Sequence, residues 1–229
     1  MKLAVMQPYL FPYIGYYQLV NSVDKFVFYD DVNFIKCGYI NRNNILVNGK
    51  SQMFTLPVLS ASQNKLINEL SFSENVKKIL KTIEQTYSKA PYFNDVFPII
   101  KGVLSDANRS VVNLTIQSVV EVFKYLGIEK EFFLSSEIGN DKSLIAKERL
   151  IDMTKILDCD IYINSPGGKS LYDKEYFRKS GVELNFIEMK EVSYEQYGSE
   201  FVSHLSIIDV LMWNSKMDVK VFLDEYRLV

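Results

Sequence analysis

The chain has 229 residues, 48% hydrophobic and 24% charged, the balance of a single globular unit rather than a disordered tail or a membrane protein. With 26 Lys and Arg against 28 Asp and Glu, the formal net charge of −2 offers no general attraction for nucleic acid or anionic lipid, so the expected partner is a small molecule. Cys37 and Cys159 have neither a CxxC spacing nor the density of a secreted disulfide scaffold, which leads us to expect reduced thiols in a cytoplasm.

Met1 leads within two residues into the apolar run Leu3 to Met6, read as a strand, with no room for a signal peptide. A polar, proline-rich turn follows, then helix-compatible spacing from Ile14 to Val23 and a second strand over Lys25-Phe-Val-Phe-Tyr-Asp-Asp31. Two parallel strands joined this way place the loop Gln7 to Tyr13 at the carboxyl edge of the sheet, where open α/β folds bind ligands.

From Asn33 to Asn64 the chain is rich in Asn and Gly, and Val47-Asn-Gly-Lys50 predicts a hairpin leading into Gln52 to Val58. Three- and four-residue apolar spacing predicts helices over Glu74 to Ser88, Asn94 to Leu104 and Ser110 to Leu126, a helical middle section of about 74–127. Alternation then resumes: strand Glu131 to Ser135, helix Ser143 to Leu157, strand Asp160 to Asn164, short helix Asp173 to Ser180, strand Val182 to Met189. Helical patterns over Ser206 to Trp213 and Val219 to Tyr226 close the chain. No repeat, low-complexity tract or linker divides it, so residues 1–229 form one α/β domain with a parallel sheet and no membrane-inserted segment.

The opening segment Gln7-Pro-Tyr-Leu-Phe-Pro-Tyr-Ile-Gly-Tyr-Tyr-Gln18 carries the strongest chemical signal. Pro8 and Pro12 lower the entropy lost when the loop orders around a ligand, and tyrosine offers a stacking face with a hydroxyl. Gln7, Tyr9, Tyr13 and Tyr16 are therefore candidate ligand residues, and Gly15 permits close approach to the backbone. The competing reading is that these aromatics pack the helix on the sheet, most evenly weighed for Phe11 and Tyr17.

Asp30-Asp31-Val-Asn33 closes the second strand, where carboxylates can orient a hydroxyl or take a proton from an amine; one acidic pair is too little to indicate a metal. Lys36 and Asn41-Arg42-Asn43 follow closely, and the planar fork of Arg42 suits a diphosphate or carboxylate. Ser165-Pro-Gly167-Gly168-Lys169 follows a strand and precedes a short helix, so its amides and Lys169 can cradle phosphate, with Tyr172 in the same stretch; it is no Walker A loop. His204, the single histidine, is read first as a cap or surface residue, Ser206 and Asp209 as anchors of the helix after it, and Trp213 as core.

Met-Gln-Pro-Tyr-Leu-Phe-Pro-Tyr-Ile-Gly-Tyr-Tyr-Gln-Leu, then Val-Asp-Lys-Phe-Val-Phe-Tyr-Asp-Asp-Val and Tyr-Ile-Asn-Arg-Asn-Asn-Ile-Leu, resemble the signature of the WbqC-like family of surface-polysaccharide gene clusters. Tyr-Ile-Asn-Ser-Pro-Gly-Gly-Lys-Ser-Leu-Tyr and His-Leu-Ser-Ile-Ile-Asp-Val-Leu-Met extend that resemblance over essentially the whole chain. Relatives often begin the motif with His-Gln-Pro; Met6 stands there in this chain, which excludes an acid or base at that position. A weaker resemblance is to nucleotidyl transferases with a His-x-Gly-His loop, and it implies a parallel Rossmann-like (HUP-type) sheet. Tyr13-Ile-Gly-Tyr16 would replace their charged imidazoles with neutral donors.

The family context implies a transferase or ligase acting on a nucleotide-activated amino sugar, with N-acyl or aminoacyl transfer to the sugar amine and ATP or acyl-CoA as co-substrate. In that picture Asp30 or Asp31 takes the proton and the other residues bind substrate. The alternatives are a non-catalytic sugar-nucleotide or glycan-binding accessory protein, and a nucleotidyl transferase.

Overall fold

The computed structural model describes residues 1–197 and 200–229. Strand β1 (Lys2–Met6) passes through the proline-rich loop into helix α1 (Ile14–Asn21) and returns as β2 (Lys25–Phe28). An excursion follows, comprising β3 (Arg42–Val47), β4 (Lys50–Thr55), β5 (Val58–Leu59), β6 (Ser71–Phe72), α2 (Lys77–Tyr87), α3 (Phe93–Leu104) and α4 (Val111–Leu126). The last third alternates β7 (Glu131–Leu134), α5 (Ala146–Ile156), β8 (Ile161–Asn164), α6 (Lys174–Lys179) and β9 (Glu183–Met189), and ends in α7 (Ile207–Trp213), α8 (Lys216–Leu223) and β10 (Tyr226–Leu228).

The central sheet runs β10-β9-β8-β1-β2-β7 and is parallel except for the edge strand β10, which is antiparallel to β9. From β1 the chain moves to one side through β2 and β7, then jumps back across β1 to β8 and continues the other way. Such a reversal opens a crevice beyond the carboxyl ends of the two strands where it occurs. Here these are β1 and β8, so the loop after β1 and the Ser165–Ser170 turn after β8 border one crevice.

Both faces of the sheet are covered, as the continuous apolar strands require. Alternate residues divide between them: Ala4, Phe26 and Phe28 face α1, α4, α7 and α8, whereas Leu3, Val5 and Val27 face α5 and α6. Phe26 lies in an aromatic stack with Phe28, Phe132 and Tyr16, ring centroids 5.1–6.3 Å apart. Truncating it to Ala would cost about 3–5 kcal/mol.

Within the excursion, α2, α3 and α4 are the helical middle section, and the expected hairpin precedes them. Asn48 and Gly49 both have positive φ, 51° and 72°, so the two-residue turn matches the twist of β3 and β4. Ser110 caps α4 by accepting from the Asn113 amide.

The C-terminus differs from expectation. Helix α8 begins earlier, at Lys216, because Ser215 and Asp218 form a reciprocal capping box, and Tyr226–Leu228 leaves the helix to pair with β9. Three residues are too few to show a strand period against a preceding helix. Among the described residues no helix is long and apolar enough to cross a membrane.

Candidate functional site

The loop between β1 and α1 is held from three directions. Phe11 donates its N–H to Ser118 Oγ of α4 at 2.9 Å, and its carbonyl accepts from Asn43 Nδ2 of β3 at 2.9 Å and Ser206 Oγ at 2.6 Å. The Pro12 carbonyl accepts from the Ile207 amide at the start of α7. Phe11 is buried with φ of 42°, a conformation that costs a non-glycine residue about 1–3 kcal/mol and persists only where surroundings impose it. The two prolines and these bonds make the loop rigid before any ligand arrives.

That rigidity shapes a cleft. Tyr9, Pro12, Tyr13, Tyr39, Asn43 and His204 enclose about 200 Å³. Tyr9 and Tyr13 also border a smaller adjoining cavity with Gly15, Ser165 and Pro166, at the β1–β8 crevice. The volume lies below the ~300–1,000 Å³ of drug-sized ligand sites, so the cleft accommodates one part of a larger ligand. The Tyr9 and Tyr13 hydroxyls have no protein partner among the described residues, and burial raises both phenols, keeping them neutral donors at neutral pH. His204 meets the Tyr13 ring edge-on at 6.1 Å, on backbone with φ of 58°.

Other residues of the opening segment have structural duties. Tyr16 is buried among Tyr9, Tyr17 and Phe26, and its hydroxyl donates to the Gln7 carbonyl at 3.0 Å. The half-buried Gln7 side chain makes no hydrogen bond among the described residues. A Cβ on Gly15 would lie 1.8 Å from Met189 Sδ and 2.5 Å from the Tyr13 ring, so β9 and the loop leave room for no side chain. Gly168 is equally constrained, its Cβ position lying 2.4 Å from Asn164 Nδ2, whereas Gly167 faces open space. Lys169 pairs with Glu188 at 3.1 Å, and Tyr172 packs edge-on against Phe177 on the other face of the sheet.

Asp30 and Asp31 form a separate nest at the ends of β2 and β7. Asp30 accepts from the Ser136 amide at 3.0 Å, Ser136 Oγ at 2.7 Å and Asn68 Nδ2 at 3.3 Å. Ser135 Oγ lies 3.0 Å from Asp30 and 2.5 Å from Asp31. Asp31 also accepts from Arg149 Nη2 at 2.6 Å and faces Lys142 Nζ at 3.4 Å. Burial pushes the Asp31 carboxyl up, but Ser135, Arg149 and Lys142 together outweigh it and hold it below the usual carboxylate range. Arg149 is itself buried, donates to Asn140 Oδ1 at 2.6 Å and lies over the Tyr29 ring at 4.9 Å.

The cations meeting Asp31 are thus Arg149 and Lys142, from the chain after β7, and not the sequence neighbours Lys36 and Arg42. Arg42 donates to the Gly38 carbonyl at 3.0 Å and to that of Cys37, while Asn41 donates to the Leu56 carbonyl at 3.0 Å. Lys36 and Asn33 are exposed, with Asn33 bridging to Leu66 through the backbone. Sequence reading did not single out Tyr39, Ser135 or Arg149, named Asn43 only beside Arg42, and set His204 aside. One signal for Arg149 was present: it lies four residues before Met153, on the apolar stripe of its helix. His204 was marked only as the single histidine, since folding alone brings it to Tyr13.

Among the described residues, no group of three or more His, Cys, Asp and Glu side chains is placed to hold a metal ion. The model of the WbqC-like protein family matches residues 7–221. The chain is also similar to the Uncharacterized protein Rv1507c of Mycobacterium tuberculosis, 24% identical over 217 residues that cover 92% of each chain. No solved structure matches the chain significantly.

Proposed function

Because the chain belongs to the WbqC-like protein family, we propose that it is a cytoplasmic transferase or ligase acting on a nucleotide-activated amino sugar in surface-polysaccharide biosynthesis, by acyl or aminoacyl transfer to the sugar amine. The observation that carries this reading is the rigid tyrosine cleft, with a lone imidazole on its wall, that adjoins the β1–β8 crevice through Tyr9 and Tyr13. Counted along the chain, the sheet strands take the order 3-2-1-4-5-6, that of the Rossmann-like doubly wound folds. The proposed nucleotide site is therefore at that crevice. Neutral phenols at Tyr9 and Tyr13 stack on a ring and donate to sugar or phosphate oxygens.

In the reaction the amine nitrogen attacks the acyl carbonyl carbon, a C–N bond forms, and the bond to coenzyme A sulfur or adenylate oxygen breaks. The amine must lose a proton to a nearby acceptor. Asp31, bound to Arg149 and held ionised below the usual range, is a weak proton acceptor, and Asp30 already accepts several hydrogen bonds. We assign the proton to His204, and the Asp30–Asp31 nest to holding the ends of β2 and β7 together.

The test is to incubate the protein with nucleotide-linked amino sugars and either ATP with amino acids or acyl-CoA, following sugar mass. An added acyl or aminoacyl mass is expected, and His204→Asn should lower kcat by about 10²–10⁴-fold with KM little changed. Binding without any added mass would overturn the transferase reading in favour of an accessory binding protein, and pyrophosphate release with a sugar phosphate would favour nucleotidyl transfer.

A further inference from the structure

A second cavity, of about 310 Å³, lies at the opposite ends of the elements that frame the tyrosine cleft. Strand β3 lines the cleft with Asn43 and this cavity with Leu46 and Val47; α7 begins beside the opening loop and reaches the cavity with its last residue, Trp213. Three steps of strand, from Asn43 to Leu46, at about 3.3 Å each separate the two by roughly 10 Å.

Its walls have a distinct chemistry. Trp213 and Tyr197 form a stacked pair, centroids 6.2 Å apart and planes 19° from parallel. Trp213 Nε1 is buried and has no acceptor in the protein among the described residues. Such a donor, left unmet, costs about 1–3 kcal/mol. Asn48, Gln85, Thr86 and Lys89 complete the rim, and none of their side chains makes a hydrogen bond or ion pair within the protein among the described residues.

These groups select among ligand classes. Among the described residues no carboxylate lines the cavity, so no side chain there attracts a cation. Among the described residues Lys89 is its single charge, a poor match for a diphosphate, which calls for several charged donors. The amides and hydroxyls around the rim disfavour a lipid chain, whose burial would leave them without partners. A pyranose answers all of them: its C–H faces pack on aromatic rings, and its hydroxyls donate to and accept from amides and accept from an indole N–H.

We propose that this cavity is a saccharide-binding site, separate from the tyrosine cleft, in which Trp213 and Tyr197 pack against a pyranose and Asn48, Gln85 and Lys89 bind its hydroxyls. The site does not depend on the transferase reading.

Trp213 is the single tryptophan of the chain, so its emission reports on this cavity alone. The full-length protein is titrated with glucose, galactose, N-acetylglucosamine and their disaccharides, following Trp213 fluorescence, with UMP as the control for the tyrosine cleft. A saturable change with at least one saccharide and none with UMP is expected. Gln85→Ala, on the exposed rim, should weaken that saccharide about tenfold, the equivalent of one hydrogen bond. Calorimetry on Trp213→Phe, which keeps an aromatic ring but removes the N–H, should show a similar loss. An emission unchanged by every saccharide, or an affinity that Gln85→Ala leaves unaltered, overturns the proposal. Either outcome leaves the transferase test untouched.

Discussion

Asp31 and Asp209 are both buried carboxylates, and their surroundings solve the same problem in opposite ways. Asp31 is met by a cation, the buried Arg149, and lies below the usual carboxylate range. Asp209, fully buried on α7, is met by neutral donors: Tyr87 and Tyr194 hydroxyls at 2.7 Å each and Gln196 Nε2 at 2.9 Å. Its burial outweighs those three bonds, so its carboxyl is raised. An ion pair fixes a charge in place, whereas three neutral donors fix a geometry and leave the charge costly. The second arrangement suits its position. Tyr194 and Gln196 belong to the segment leading to His204, and Gln196 also clasps Val202 by donating to its carbonyl and accepting from its amide. Asp209 thus helps place the imidazole beside Tyr13.

The largest expected effect tests the ion pair. Arg149→Met leaves Asp31 buried with the exposed Lys142 as its one remaining cation among the described residues, and should cost about 3–5 kcal/mol in urea unfolding. A cost no larger than that of removing Lys142 would show that the serine and amide donors, and not the arginine, stabilise the nest. Asp209→Asn should cost less, about 1–3 kcal/mol, because it turns one acceptor oxygen into a donor facing groups that also donate, yet removes a charge that burial disfavours. Its kcat should fall with that of His204→Asn if Asp209 positions the imidazole.

The same two variants separate in their pH dependence. Asp209 has a raised folded value, so its contribution is present below the unfolded carboxyl range near pH ~3.9 and is lost as pH rises through the raised value. Asp31 has a lowered value, so its contribution is present above that range and is lost as pH falls through the lowered one. Urea midpoints from about pH 3 to about pH 7 should therefore show Asp209→Asn removing a decline toward neutral pH, and Arg149→Met removing a decline toward acid. If both variants flatten the same limb, the contrast between the two carboxylates is lost. The smallest effect is that of Lys142→Ala: its ammonium is largely exposed and screened by water, so the change should stay below about 1 kcal/mol.

Much of the architecture was legible along the chain. Alternating strand and helix patterns located β1, β2, β7, β8 and β9, and the Asn48-Gly49 pair located the hairpin, because side-chain period and turn chemistry are local properties. The opening loop was legible for a similar reason, since two prolines and a run of tyrosines after a strand have few other uses. Within it, cleft-lining and core tyrosines could not be told apart: Tyr13 and Tyr16 are three residues apart and equally polar, yet one lines a cleft and the other is enclosed by Phe26 and Tyr17.

By itself, the sequence determined the family, the α/β alternation, the helical middle section and the loop around which the candidate site is built. Only tertiary structure decided which groups surround that loop. Arg149 reaches Asp31 across 118 residues, Ser206 reaches Phe11 across 195, and His204 reaches Tyr13 from the far end of the chain. Pairings at such separation follow from the order in which strands join the sheet, and no local pattern encodes that order.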